Sequence, residues 1–322
     1  MMFTLKPVFE KSPVLMRDAL CSSLMDMAAK NKNIVALDAD LVSSSGLKPF
    51  FKAYPEQAVQ CGIAEANMIG IAAGLSAVGK IPFAHSFGCF SSRRVCDQIM
   101  ISCAYAKLNV RIIGSDPGIT ATYNGGTHMP FEDMGVLRSI PQITLIELTD
   151  PVMAKDIIPR LEDVYGVYYL RMPRKSVIGV YEEGSTFEIG KGNQLTDGHD
   201  VTIIASGIMV AEAMKAQAVL KAEGVSARVV DMFTWKPIDG ELIARCARET
   251  GAFVTAENHN VLGGLGAAVA ESMVTSCPVP MEMVGVHDRF GQVGTEDYLK
   301  EAYGLTADRI IEAAKRAISR KK

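Results

Sequence analysis

Short apolar runs alternate along this chain with longer stretches in which apolar and polar positions recur at helical spacing. The runs IVAL (34–37), VRII (110–113), ITLIE (143–147) and VYYL (167–170) read as buried strands, with amphipathic helices filling the gaps between them. A second series begins at VTIIAS (201–206). It continues through a helix over 208–222, the strand ARVVD (227–231), a helix over 239–249, the strand AFVT (252–255) and a helix over 264–274. Strand and helix in strict alternation predict an α/β protein with two doubly wound, mostly parallel sheets. Between the series, residues 173–199 lack helical periodicity and carry Pro173, Gly179, Gly184, Gly190, Gly192 and Gly198. The boundary is expected there, with domains over 1–180 and 181–322.

A length of 322 residues agrees with two domains, because a single core rarely grows beyond about 300 residues. Apolar residues make up 48% and charged residues 21%, ordinary values for a globular chain. A net charge of −3 provides no electrostatic footprint for nucleic acid or an anionic membrane, and neither partner is expected. The N-terminal residues form no signal-type apolar core and no segment approaches the length of a membrane span, so a cytoplasmic location is expected. Seven scattered cysteines without a CxxC pair suggest neither a disulfide framework nor a zinc site. Cys96 and Cys103 fall near one helical face and read as small core residues.

Chemistry enters with one acid. In CGIAEANMIGIAAGLSAVGK (61–80), Glu65 opens an otherwise apolar helix whose Met68, Ile71, Ala72 and Leu75 recur at helical spacing. A carboxylate entering such surroundings either complements the helix dipole or is held for chemistry by a partner that needs a strong hydrogen bond. Gly70 and Gly74 would let another backbone or a ligand come close. Loops after successive strands add Asp40 with Ser43 to Ser45, the segment His85 to Phe90, Asp116, and TYNGGTHMP (122–130), in which Gly125 and Gly126 free the backbone ahead of His128. Nucleotide motifs fail: there is no GxxxxGK[ST] loop, and LGGLGAAV (262–269) has Val269 where a dinucleotide fingerprint wants Gly or Ala. The cluster Glu257, Asn258, His259 and Asn260 before those glycines reads as structural or interfacial.

Taken together, CGIAEANMIGIAAGLSAVGKIPFAHSFGCF, NGGTHMPFEDMGVLRSIP, DVTIIASG, VVDMFTWKPID and AENHNVLGGLGAAV resemble the pyrimidine-binding and C-terminal domains of the transketolase family, arranged like the beta subunit of a split enzyme. The resemblance implies thiamine diphosphate as cofactor. It implies that Glu65 hydrogen-bonds the aminopyrimidine so that the thiazolium carbon is deprotonated and attacks a ketose, and that a two-carbon ketol unit then passes to an aldose. Phe87 and Phe90 match the family's aromatic pair, with Phe90 stacking on the pyrimidine. Asp40 matches an acid near the cofactor and the dimer interface. His128 matches a histidine that contacts the donor's oxygens. Arg17, Ser44 and Arg171 match positions that hold an acceptor phosphate, a task suited to guanidinium forks.

Three positions depart from the family pattern. Asn124 stands where an aspartate commonly reads a sugar hydroxyl, Ser115 where a second phosphate-binding histidine is common, and His85 where a small hydroxyl residue is common. These departures leave open a modified sugar phosphate, or an acid with its charge placed differently. The family's diphosphate-binding domain has no counterpart in the sequence. The resemblance therefore implies a partner subunit carrying that domain and most of the ligands of Mg2+ or another divalent ion, with a dimer or α2β2 heterotetramer as the working form. Two alternatives stand beside this reading. A 2-oxo acid dehydrogenase beta subunit would not need Arg17 and Arg171 as a phosphate clamp, and a non-catalytic partner would not need a buried acid.

Overall fold

Every apolar run read above is a strand, and further strands flank them. In chain order they are β1 (Ile34–Asp38), β2 (Ala58–Gln60), β3 (Ile81–Phe87), β4 (Val110–Ser115), β5 (Ile143–Glu147), β6 (Val167–Met172), β7 (Asn193–Thr196), β8 (Val201–Ala205), β9 (Ala227–Asp231), β10 (Thr234–Lys236), β11 (Phe253–Asn260) and β12 (Met281–Val286). The computed structural model describes residues 2–321. It consists of two compact units, one formed by residues 2–117 and 136–187, the other by 118–135 and 188–321.

In the first unit β5, β6, β4, β3, β1 and β2 lie side by side in that order, all parallel. β1, β4 and most of β3 are buried along their length, as expected of a parallel sheet covered on both faces. The register sets Asp38 opposite His85 and Glu147 opposite Arg171 at the carboxyl ends, with Phe87 opposite Ser115. Such ends are where open α/β sheets receive ligands. The helix Glu65–Ala77 packs its Met68, Ile69, Ala72, Ala73 and Ser76 face inward, while Gly70 and Gly74 look into open space, with no heavy atom within 4 Å of where a Cβ would stand. The close approach expected at those two glycines is not made within the described chain.

The glycine-bearing stretch 173–199 is ordered chain shared by the two units. Its first part is stapled to the N-terminal residues by isolated bridges, Leu5 with Tyr181 and Lys11 with Ile178. Buried Asp150 accepts the Val180 and Tyr181 N–H groups at 2.8 and 2.9 Å while also capping the helix Pro151–Arg160 through Met153 N–H. The later part becomes β7, the antiparallel edge of the second unit's sheet, whose order is β12-β11-β8-β9-β7. Amphipathic helices Glu296–Tyr303 and Ala307–Ser319, beyond the series read from the sequence, close this unit, and the second packs on the helix Met209–Ala222. Cys103 is buried and its thiol is pushed up to about 12 by desolvation, while Cys96 is half-buried; none of the seven cysteines forms a disulfide.

Candidate active site

Glu65 is the first residue of its helix and its side chain is only 4% exposed. Its Oε2 pairs with Arg94 Nη1 at 2.9 Å, and its Oε1 accepts a long hydrogen bond, 3.4 Å, from Ser86 Oγ on β3. The Arg94 guanidinium also lies over the Phe90 ring, 3.8 Å from its centroid, and remains 44% exposed. Phe90 and Phe87 form a tilted pair with centroids 6.3 Å apart. The turn after β3 thus gathers Glu65, Phe87 and Phe90 around a guanidinium that the sequence reading did not single out. The signal was present, since Arg94 follows Phe90 by one helical turn in the same polar loop.

Behind this group runs a buried polar chain. His85 Nδ1 lies 3.2 Å from Asp38 Oδ2 and Nε2 lies 3.1 Å from Ser115 Oγ, with all three side chains essentially enclosed. Both ring nitrogens of His85 are therefore engaged within the sheet. The other Asp38 oxygen accepts the Leu41 N–H. That contact turns the chain into the loop where Asp40, exposed and at φ +63°, donates its N–H to Gln60 Oε1 at 2.8 Å.

The predicted arginines part company. Arg171 is fully enclosed in an ion pair with Glu147, its cross-strand neighbour. Arg17 and Ser44 are partly open, and the loop that follows Ser44 turns at Gly46 (φ +76°), where a Cβ would stand 3.1 Å from the Arg17 side chain. Arg17 N–H donates to the Arg174 carbonyl at 3.2 Å, which sets the backbones of the two arginines side by side. Arg174 is 18% exposed, lies 5.2 Å from the Phe87 ring centroid, and has Nε 2.7 Å from Asp116 Oδ2 in an ion pair that lacks hydrogen-bond alignment. Burial pushes the Asp116 carboxyl above its usual range, with Arg174 pulling the other way. Arg174 sits three residues beyond Arg171, and only the point at which β6 ends, Met172, decides which of the two emerges.

Asn124 and His128 belong to the second unit. Their loop runs through Thr122, at φ +49°, and Gly125, at φ +74°; Gly126 touches the carbonyl of Gly291 so closely that a Cβ would be 2.4 Å away. The unusual backbone expected from the two glycines is present. Asn124 is exposed and His128 half-exposed, with Nδ1 2.8 Å from Thr127 Oγ1.

This geometry has counterparts among known proteins. The transketolase pyrimidine-binding domain matches residues 12–178 and the transketolase C-terminal domain matches residues 190–310. The chain belongs to the transketolase family, and membership implies dependence on thiamine diphosphate. It is 50% identical to the 6-deoxy-6-sulfo-D-fructose transketolase subunit SqwH of Clostridium sp. (strain MSTE9), over 95% of each chain. It is 37% identical to an apulose-4-phosphate transketolase subunit of Phocaeicola vulgatus, over 92% of this chain and 96% of the relative. Among solved structures, a split gene transketolase described as an inactive beta4 tetramer is similar with a TM-score of 0.90 and 43% identity, covering 96% of this chain and all of the other. Among the described residues no helix is long and apolar enough to cross a membrane.

Proposed function

We propose that this chain is the C-terminal subunit of a split transketolase. It moves a two-carbon ketol unit from a ketose donor to an aldose acceptor, both bearing a terminal anion, and it works with a separate subunit that carries the diphosphate-binding domain and holds the divalent ion. The observation that carries the reading is Glu65, a carboxylate 4% exposed beside Phe87 and Phe90, with one oxygen held by nothing stronger than a 3.4 Å hydroxyl contact. A buried acid of this kind fits an aminopyrimidine whose ring nitrogen shares its proton, with an aromatic face at Phe90 for the ring. Thiamine diphosphate supplies, when bound, the nucleophilic carbon and the electron sink on which carbon–carbon cleavage depends.

The chain's own residues divide the remaining work. His128 holds the donor's oxygens and stabilises charge that develops there, and Asn124 reads a hydroxyl with both a donor and an acceptor. Arg17 and Ser44 form the anion cradle, with Arg174 rather than the enclosed Arg171 as the second guanidinium. The Asp38, His85 and Ser115 chain and the Arg171–Glu147 pair support the cradle and the turn from beneath, and Asp40 belongs to the cofactor and subunit interface. A clamp of two guanidiniums favours this reading over a keto-acid dehydrogenase, whose substrate has no terminal phosphate or sulfonate. The relatives' names direct attention to 6-deoxy-6-sulfofructose and apulose 4-phosphate as donors.

The test is two-carbon transfer from hydroxypyruvate, fructose 6-phosphate, 6-deoxy-6-sulfofructose and apulose 4-phosphate to a panel of aldose phosphates, with thiamine diphosphate and magnesium, using this chain with and without a diphosphate-binding subunit. Activity is expected only in the mixture. Arg17→Ala and Arg174→Ala are expected to raise KM for the anionic substrate by about 10- to 100-fold, the loss of a charge-assisted contact. A mixture that binds cofactor but transfers nothing, while oxidising a keto acid onto a lipoyl carrier, would replace the proposal with the dehydrogenase.

A further inference from the structure

The segment 118–135 packs within the second unit, and β11 holds both of its ends. Ile119 N–H donates to Asn258 Oδ1 at 3.0 Å, and Gly135 N–H donates to His259 Nε2 at 3.2 Å. Beside them Asn260 N–H donates to the Phe131 carbonyl at 2.7 Å, and Gly118 N–H closes the neck of the loop on the Pro130 carbonyl at 3.1 Å. Asn258 and His259 are both fully buried. His259 Nδ1 donates to the Asn260 carbonyl at 2.7 Å and Nε2 accepts from Gly135 N–H, with the Glu257 and Asp133 carboxylates 3.7 and 3.8 Å from the two nitrogens. Glu257 accepts the Leu265 and Gly266 N–H groups at the start of the next helix at 2.6 and 2.9 Å. Gly118, at φ +51°, would drive a Cβ to within 2.2 Å of Asn258 Oδ1, so the fit admits no side chain there. Thr122, at φ +49° and ψ −113°, keeps a backbone conformation that persists only where its surroundings hold it.

We infer that Asn258 and His259 are positioning residues for ketol transfer: they clamp the two ends of the loop so that its exposed side, with Asn124 and His128, is presented in a single arrangement. The second unit then takes part in turnover without touching substrate through β11 itself. This inference rests on the proposed role of His128.

Three variants test it: Asn258→Ala, His259→Asn, which removes the acceptor at Nε2, and His259→Gln, which keeps an acceptor there. Amide hydrogen exchange in the chain alone reads the clamp without any activity. Asn258→Ala and His259→Asn are expected to raise exchange over 119–135 by about tenfold or more while β8 and β9 stay protected, and His259→Gln to stay within about threefold of the parent. In ketol transfer with the diphosphate-binding subunit, the first two lower kcat about 10- to 100-fold with acceptor KM unchanged. Neither lowers it further when His128 is already alanine. Unchanged exchange overturns the clamp. A kcat loss that persists undiminished in the His128→Ala background, or no loss, overturns the positioning role. A parent mixture that transfers no ketol unit refutes the proposed function and the positioning role with it, while the exchange result still decides the clamp.

Discussion

Replacing Glu65 by glutamine separates chemistry from folding more cleanly than any other single change here. The amide has the shape of the carboxylate, so the cavity is unchanged and the Ser86 contact at 3.4 Å is at most reoriented. What is lost from stability is the ion pair with Arg94 at 2.9 Å, and Arg94 is 44% exposed, so solvent screens the pair and its worth is about 1 kcal/mol or less. For a unit of this size that corresponds to a Tm lower by about 2–4 °C. The effect on cofactor activation is of another order. An amide cannot share a proton with a ring nitrogen, and losing a positioned acid–base partner costs about 10²- to 10⁴-fold. The assay is exchange of the cofactor's C2 proton for deuterium in the two-subunit mixture, quenched and read by NMR, beside calorimetric melts of the chain alone. Exchange in Glu65→Gln as fast as in the parent would falsify the assigned role. A Tm loss far above a few degrees would show that the carboxylate is structural.

Other outcomes follow from the buried charges. Arg171→Met strands Glu147 inside the sheet and is expected to cost about 3–5 kcal/mol, whereas Arg171→Met combined with Glu147→Leu recovers most of it, both read by denaturant unfolding; a single variant as stable as the parent would mean that the pair is not enclosed. Asp116 carries a carboxyl raised by burial, so its contribution to stability is full below its unfolded value of about 3.9 and is lost as pH rises through the raised folded value. Asp116→Asn is therefore expected to compare least favourably with the parent near pH 4 and to gain on it in Tm as pH rises; a difference flat with pH would refute the assignment. Gly264→Ala would put a Cβ 2.0 Å from Glu257 Oε2 and is expected to lower Tm markedly, with a neutral melt counting against the close contact.

Most of the architecture was legible as local pattern. The strands at 34, 110, 143, 167, 201, 227 and 253 announced themselves as apolar runs, and the helix opened by Glu65 was visible from its spacing. β2, β3, β7, β10 and β12 were not: β2, β7 and β10 have three or four residues, too few to show a period, and β3 (IPFAHSF) and β12 (MEMVGV) break their apolar runs with Pro82, His85, Ser86 and Glu282. At the site, the acid, the aromatic pair and the histidine loop were readable because each is a contiguous motif. The sequence by itself therefore determined the α/β class and its alternation of strands and helices, and it singled out the candidate residues for chemistry. Only the tertiary structure decided which of those residues are enclosed and which are open. Arg171 points into Glu147 and Arg174 does not; His85 is spent on Asp38 and Ser115; Glu65 meets Arg94; and the loop of His128 is held by residues more than a hundred positions away. Those outcomes depend on strand register and on contacts between distant segments, and neither leaves a trace in the local alternation of apolar and polar positions.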